Sequence, residues 1–317
     1  VQTVAMIELA DLVIAPLQGP VDPSKRLFWM FLLSSILMAS LAVSWHNRQF
    51  NLARQLSALF SKHYWLHRSN ATDASLLLLN HALHILLIIP LLGSYLAGAI
   101  AVGSVMQSQF GDAPDLPGST LAVGIAYTLV LFLTEDLSRF TLHRAFHRFP
   151  LLWHFHRTHH SATNLTPLTV HRVHPVESCA YFLRGFIVFS GVSGLFLYLF
   201  GGRLNGIDIL GVDCLGFLFN FFGANLRHTP IWLGFGRLER LLISPAQHQI
   251  HHSVALHHRG KNLGSCLSIW DRLSGSWLAS GAYQQLEFGL SPQAASETAR
   301  DDRALGYRLP AHLTVPS

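Results

Sequence analysis

The sequence predicts an all-α integral membrane protein, with about four to five membrane-spanning or re-entrant helices and a cytosolic, histidine-rich helical cap. Three observations predict it. Half of the 317 residues are apolar, and only 12% are charged, about half the share of an average soluble protein. The apolar residues fall in long runs. The histidine clusters lie in two polar regions, one after the third run and one after the fifth.

Taken in order, Val1–Val21 lacks the basic start and unbroken apolar centre of a signal peptide, and reads as an interfacial or extramembrane lead-in. Five runs then enter or cross the bilayer: Leu27–Val43, Leu76–Ile100, Leu121–Leu133, Phe186–Gly201 and Ile207–Phe222. A crossing helix needs about 20 residues, so the shorter runs imply tilted or re-entrant segments. Arg48, Arg54, Lys62 and Arg68 follow the first run. The loop Gly103–Ser119, with its turn-rich GDAPDLPG, carries Asp112 and Asp115 and no Lys or Arg. Arg139, Arg144, Arg148, Arg157 and Arg172 surround the first histidine region. Loop cations mark the cytoplasmic side. Both polar regions, Glu135–Ser178 and Arg227–Trp277, then share the cytoplasmic face, and histidines far apart in sequence can meet there. Beyond Leu290, the charged stretch Glu297–Arg303 and Pro310 read as a solvated tail.

Composition also excludes some chemistry. Cys179, Cys214 and Cys266 are far apart, odd in number and in no CxxC, which argues against a disulfide framework or a thiolate metal site. No basic run has the pattern of a nucleic-acid surface, so no nucleic-acid partner is expected. The chain has neither a CxxCH haem signature nor a flavin fingerprint.

The histidines have ligand spacing. LHRAFH places His143 and His147 at i, i+4. HRTHH places His156, His159 and His160 at i, i+3, i+4, and HQIHH repeats this with His248, His251 and His252. Residues three and four apart neighbour one another on a helix, so each cluster is expected to aim its imidazoles at one point. Eight nitrogen ligands exceed one tetrahedral zinc site. Two metal ions with about four imidazoles each fit better. Carboxylates are scarce here, unlike in ferritin-like bundles, whose Glu-x-x-His motifs supply mainly carboxylates. His154 lies off the face shared by His156 and His160 and reads as packing or support. His63 and His67 read as an interfacial face. His81 and His84, inside an apolar run, are costly enough to raise a functional question, which hydrogen bonds across helices would also answer. Asp136, seven residues before His143, stands two turns up the same face and can orient a ligand imidazole. Pairing with Arg139 or Arg144 is the alternative.

The motifs HRAFH, WHFHRTHHS, HRVHPVE, SPAQHQIHHS and IWDRLSGSW resemble the fatty acid hydroxylase superfamily, in particular bacterial members of the sterol desaturase family. The likeness is strong over Glu135–Trp277 and weaker through DPSKRLFW, HRSNATD and EFGL. It implies a membrane-embedded enzyme whose histidine-bound di-iron centre hydroxylates or desaturates lipid C–H bonds with O2. Its ligands would be His143, His147, His156, His159, His160, His248, His251 and His252. His228, in NLRHTP, matches a further family histidine and joins them. His174 and His258 match positions that the family usually fills with histidine, as ligand or support. The chain departs from the pattern at Gly260 and Leu263 around KN, and at Ser274 and Ser276 in the closing WDRLSGS, which bears on substrate fit or local packing.

The resemblance thus implies two iron ions and O2, a lipid taken from the bilayer, and a separate electron donor such as a ferredoxin or a cytochrome and its reductase. It implies a bacterial inner-membrane location with the metals facing the cytoplasm. The chain would divide into a lead-in with transmembrane helices (1–134), a histidine-box catalytic region with further membrane helices (135–285) and a tail (286–317). A histidine-rich membrane metal transporter or metal-binding protein is the alternative, and would use His81 and His84. A haem protein with paired histidines leaves most of the clusters unexplained.

Overall fold

A computed structural model describes residues 18–204, 208–209 and 212–290. The tail from 291 onward and most of the expected lead-in lie outside the described residues. The regular structure of the described chain is helical apart from one two-residue antiparallel pair, Asp208–Ile209 with Val212–Asp213, and two isolated bridges. Its helices are α1 (Trp29–Asn47), α2 (Leu52–Leu59), α3 (Lys62–Trp65), α4 (Arg68–Leu83), α5 (Ile89–Leu92), α6 (Tyr95–Phe110), α7 (Thr120–Arg148), α8 (Pro150–His160), α9 (Pro175–Phe200), α10 (Cys214–Phe221), α11 (Pro245–His252) and α12 (Ile269–Ser274).

Among the described residues, four stretches are long and apolar enough to cross a bilayer: Trp29–Asn47, Arg68–Phe110, Thr120–Arg148 and Pro175–Phe200. Leu37, Leu41, Leu91, Leu96 and Leu121 on them are each more than half exposed. Such surfaces suit lipid as the solvent, and the protein is an all-α membrane protein. The fifth expected run, Ile207–Phe222, does not become a long helix. Asp213 caps α10 by accepting from the N–H groups of Leu215 and Gly216, so helix begins only at Cys214. Eight residues rise about 12 Å, less than half of the hydrocarbon thickness.

The chain forms two compact units whose segments alternate along it. The first takes in Leu78–Arg139 and Ser178–Ala224 together with the described residues up to Ser35. Within it α6 and α9 approach backbone to backbone: a Cβ on Gly194 would lie 2.5 Å from Val102 Cβ and 2.8 Å from the Ala99 carbonyl. Small residues at such crossings replace the hydrophobic drive that lipid cannot supply. Between α4 and α5 the chain makes one π-helical turn, His84–Ile88, just ahead of Pro90, where a missing N–H and a ring clash disturb the ladder. On α7, Glu135 pairs with Arg139 at 3.1 Å and with Arg184 of α9 at 2.9 Å.

The second unit holds Ile36–Leu77, Phe140–Glu177 and the described residues from Asn225 onward. A polar knot ties its N-terminal part to the loop after α8. Arg172 reaches Asp73 Oδ1 at 3.0 Å and the Ser69 carbonyl at 2.9 Å, while Thr169 Oγ1 donates to Asp73 Oδ2 at 2.8 Å. A capping box starts α11: Gln247 N–H donates to Ser244 Oγ and Ser244 N–H to Gln247 Oε1, both at 3.1 Å, with Pro245 at the first helical position.

Candidate metal centre

The histidine-bearing elements of the second unit converge. His143 and His147 lie at the end of α7; α8 carries His156, His159 and His160; α11 carries His248, His251 and His252. His228 ends a 3-10 turn, Ala224–His228. The structure brings all nine into two groups: His143, His147, His156, His160 and His251 form one, and His159, His228, His248 and His252 the other. Within each group the candidate ligand atoms lie within 4.8 Å of one another. The groups touch, with the His160 and His252 ring centroids 4.6 Å apart.

This corrects the expectation that each HxxHH cluster serves one point. The α8 cluster gives His156 and His160 to the first group and His159 to the second, and the α11 cluster divides the opposite way. Neighbouring residues on a helix are about 100° apart, so i+3 and i+4 flank the face of residue i on opposite sides. Two such helices can therefore share both groups between them.

Hydrogen bonds fix how the imidazoles present themselves. His143 Nδ1 donates to the Leu263 carbonyl at 2.7 Å, and His251 Nδ1 to the Lys261 carbonyl at 2.9 Å. His159 Nδ1 meets the Arg172 carbonyl at 3.3 Å, and His156 Nδ1 the Glu177 carboxylate at 2.7 Å. Carbonyl oxygens only accept, so the Nδ1 atoms of His143, His159 and His251 carry the hydrogen and their Nε2 atoms are left with a bare lone pair, and Glu177, when ionised, sets His156 the same way. Burial holds the pKa of His156 down to about 3 and, with help from the neighbouring His156, that of His159 to about 4. Burial first, then the competing imidazoles around them and, beside His248, Arg227, holds His160, His248, His251 and His252 well below the ordinary value. The site is a set of neutral nitrogen donors.

Those donors fit a metal. His156 Nε2 lies 3.1 Å from the Nε2 atoms of both His143 and His147, and those of His228, His248 and His252 form a triangle with sides of 3.1–3.2 Å. Where two bare lone pairs meet at that range, as between His143 and His156, they repel unless a cation sits between them. Metal–imidazole bonds of about 2.1 Å set neighbouring nitrogens about 3.0–3.4 Å apart, from square to tetrahedral angles. His160 Nε2 and His251 Nε2 are buried without a hydrogen-bond partner. Imidazole suits iron as well as zinc.

The remaining candidates lie outside both groups. His174 Nδ1 accepts from Val176 N–H at the start of α9, and its ring packs on Phe155. His258 is buried with its ring against His257. His84, of the first unit, bonds Ser178 Oγ across helices at 3.0 Å. His67 Nδ1 accepts from Ser69 N–H. Asp136 is buried in the first unit. The carboxylate on a clustered imidazole is that of Glu177, 1% exposed, which sequence reasoning did not single out. Its one signal was its place in HRVHPVE.

Residues 128–276 match the family model described as fatty acid hydroxylase. The chain is 29% identical over 154 residues to ornithine lipid hydroxylase OlsE of Rhizobium tropici, covering 48% of this chain and 42% of that protein. It is 26% identical over 160 residues to human alkylglycerol monooxygenase, covering 50% and 32%. Against rat lathosterol oxidase it is 25% identical over 171 residues, covering 53% and 50%. The chain thus spans less than half the length of the first two relatives. No solved structure matches it. The match to the fatty acid hydroxylase family falls on the stretch that carries all nine grouped histidines.

Proposed function

We propose that the two histidine groups hold two iron ions and that the chain is an O2-dependent, non-haem di-iron oxidoreductase that hydroxylates or desaturates a lipid C–H bond. The observation that carries this reading is the pair of adjoining, buried groups of neutral imidazoles. Bound iron would supply the redox chemistry that no side chain has, since unactivated C–H bonds lie beyond acids and bases.

The chain's own residues do the rest. His143, His147, His156, His160 and His251 would hold one ion, and His159, His228, His248 and His252 the other. Glu177 and the carbonyls of Leu263, Lys261 and Arg172 orient four of the rings. Burial of the clusters keeps water from the reacting centre. The apolar stretches give a lipid a route from the bilayer, and the names of the relatives support a lipid substrate. Electrons would come from a separate donor of the ferredoxin or cytochrome-reductase class. The distribution of loop arginines supports a metal site on the cytoplasmic face of a bacterial inner membrane. In this reading the catalytic region is the expected 135–285. Metal transport needs ligands strung along a path, whereas these are closed into two buried groups that include neither His81 nor His84.

The test is iron per chain in detergent-purified protein from iron-supplemented cells. The parent should hold two ions, His251→Ala and His228→Ala about one each, and the double variant none. A parent without iron, or single variants that keep both ions, would overturn the proposal.

A further inference from the structure

The segment Lys261–Gly264 meets the five-histidine group twice. The Lys261 carbonyl accepts from His251 of α11 and the Leu263 carbonyl from His143 of α7. Between them Asn262 is fully buried at a φ of 54°, in the left-handed region that side chains other than Asn and Asp avoid.

That conformation is held from both sides. Asn262 Nδ2 donates to the Gln247 carbonyl at 3.2 Å, its Oδ1 accepts from Leu278 N–H at 2.8 Å, and its N–H donates to the Ser276 carbonyl at 2.8 Å. Asp271, also fully buried, accepts from Leu263 N–H at 2.8 Å and Gly264 N–H at 2.7 Å, and Ser276 Oγ donates to the same carboxylate. A Cβ on Gly264 would lie 2.7 Å from the Leu267 carbonyl and 2.8 Å from Asp271 Oδ2, so the close approach requires glycine.

We infer that Asn262 and Asp271 are positioning residues of the five-histidine group: they clamp a strap whose two carbonyls fix the ring orientation and tautomer of His143 and His251. The inference rests on the metal-centre reading above and gives the KNLG and WDRLSGS segments a shared task. It is selective. Both imidazoles belong to one group, whereas His159 of the other group bonds a different loop, at Arg172.

The experiment loads the full chain in detergent with Fe(II) under anaerobic conditions and counts iron retained against graded chelator. Asn262→Ala and Asp271→Asn are each made in the His228→Ala background, which leaves only the five-histidine group, and in the His251→Ala background, which leaves only the other. In the first background each variant should release iron at a chelator concentration about 10- to 100-fold lower. In the second it should change nothing. Equal weakening in both backgrounds would show general loosening and overturn the inference, as would no change in the first. Should Asn262→Ala not fold, Asn262→Gly, which accepts positive φ freely, and Asp271→Asn carry the same comparison. A parent that binds no Fe(II) would overturn the metal-centre reading itself, whereas a parent with two ions and insensitive strap variants would overturn the strap alone.

Discussion

Replacing Glu177 by Gln separates the two contributions of this carboxylate. Oε1 accepts from His156 Nδ1 at 2.7 Å, and Oε2 is buried without a hydrogen-bond partner. With His156 held neutral by burial, no formal positive charge on that ring compensates the carboxylate. The glutamine side chain is nearly the same shape and still offers an acceptor, but it loses the charge. Hydrogen bonds to charged groups contribute about 1.5–3 kcal/mol, against about 1 for neutral ones. On metal binding, where electron withdrawal makes Nδ1–H a stronger donor, the charge matters most.

The difference, a loss of about 0.5–2 kcal/mol, corresponds to about 2- to 30-fold in affinity. It is smaller than the effect of removing a partner of a ligand imidazole altogether, about 10- to 100-fold. The assay is iron retention by the five-histidine group against graded chelator in the His228→Ala background. The metal-free protein should respond in the opposite sense: Glu177→Gln removes a buried, poorly compensated charge, so its melting temperature should stay the same or rise. Iron retention equal to the parent's would refute the orienting role. A clear fall in the metal-free melting temperature would refute the charge argument.

Other outcomes follow from the same geometry. His156 and His159 have folded pKa values depressed to about 3 and about 4, so between there and the unfolded value of about 6.5 the unfolded chain binds more protons. Their contribution to stability is therefore full above pH 6.5 and lost below it; at pH 5 these two residues together cost about 4 kcal/mol, and a metal-free melting temperature that stays flat from pH 7.5 to 5 in Glu177→Gln, which removes the buried carboxyl bonded to His156, would contradict this. Arg172→Leu leaves the fully buried Asp73 carboxylate with Thr169 as its remaining described partner, and should cost about 3–5 kcal/mol in denaturant or thermal unfolding. Gly194→Val drives a Cβ to 2.5 Å from Val102 Cβ and should cost about 1–3 kcal/mol, read as a lower melting temperature with the iron count per folded chain unchanged.

What was legible in the sequence follows the range of the interactions. Hydropathy located four crossing stretches because lipid exposure is written into each stretch separately. Hydropathy marks no end for α7, whose apolar run stops at Leu133 although the helix continues to Arg148; there the histidine spacing is the signal. Glu135 lies on that continuation, and Arg184, 49 positions away in sequence, meets it at 2.9 Å. The same limit applies at the centre. His156 and His160, or His248 and His252, announce themselves by local spacing, but how each HxxHH divides between two groups depends on where α8 and α11 stand to one another. His228, in a 3-10 turn, has no local pattern and was reached only through the family likeness. Glu177 acts on His156 from 21 positions away, and the Leu263 carbonyl on His143 from 120. Such contacts leave no period in the chain. Their trace is a polar or glycine residue whose local context does not require it, such as a buried Asn at positive φ or a glycine facing an aspartate. At Asn262 that trace lies next to both carbonyls that bond the five-histidine group, and at Gly264 next to one of them.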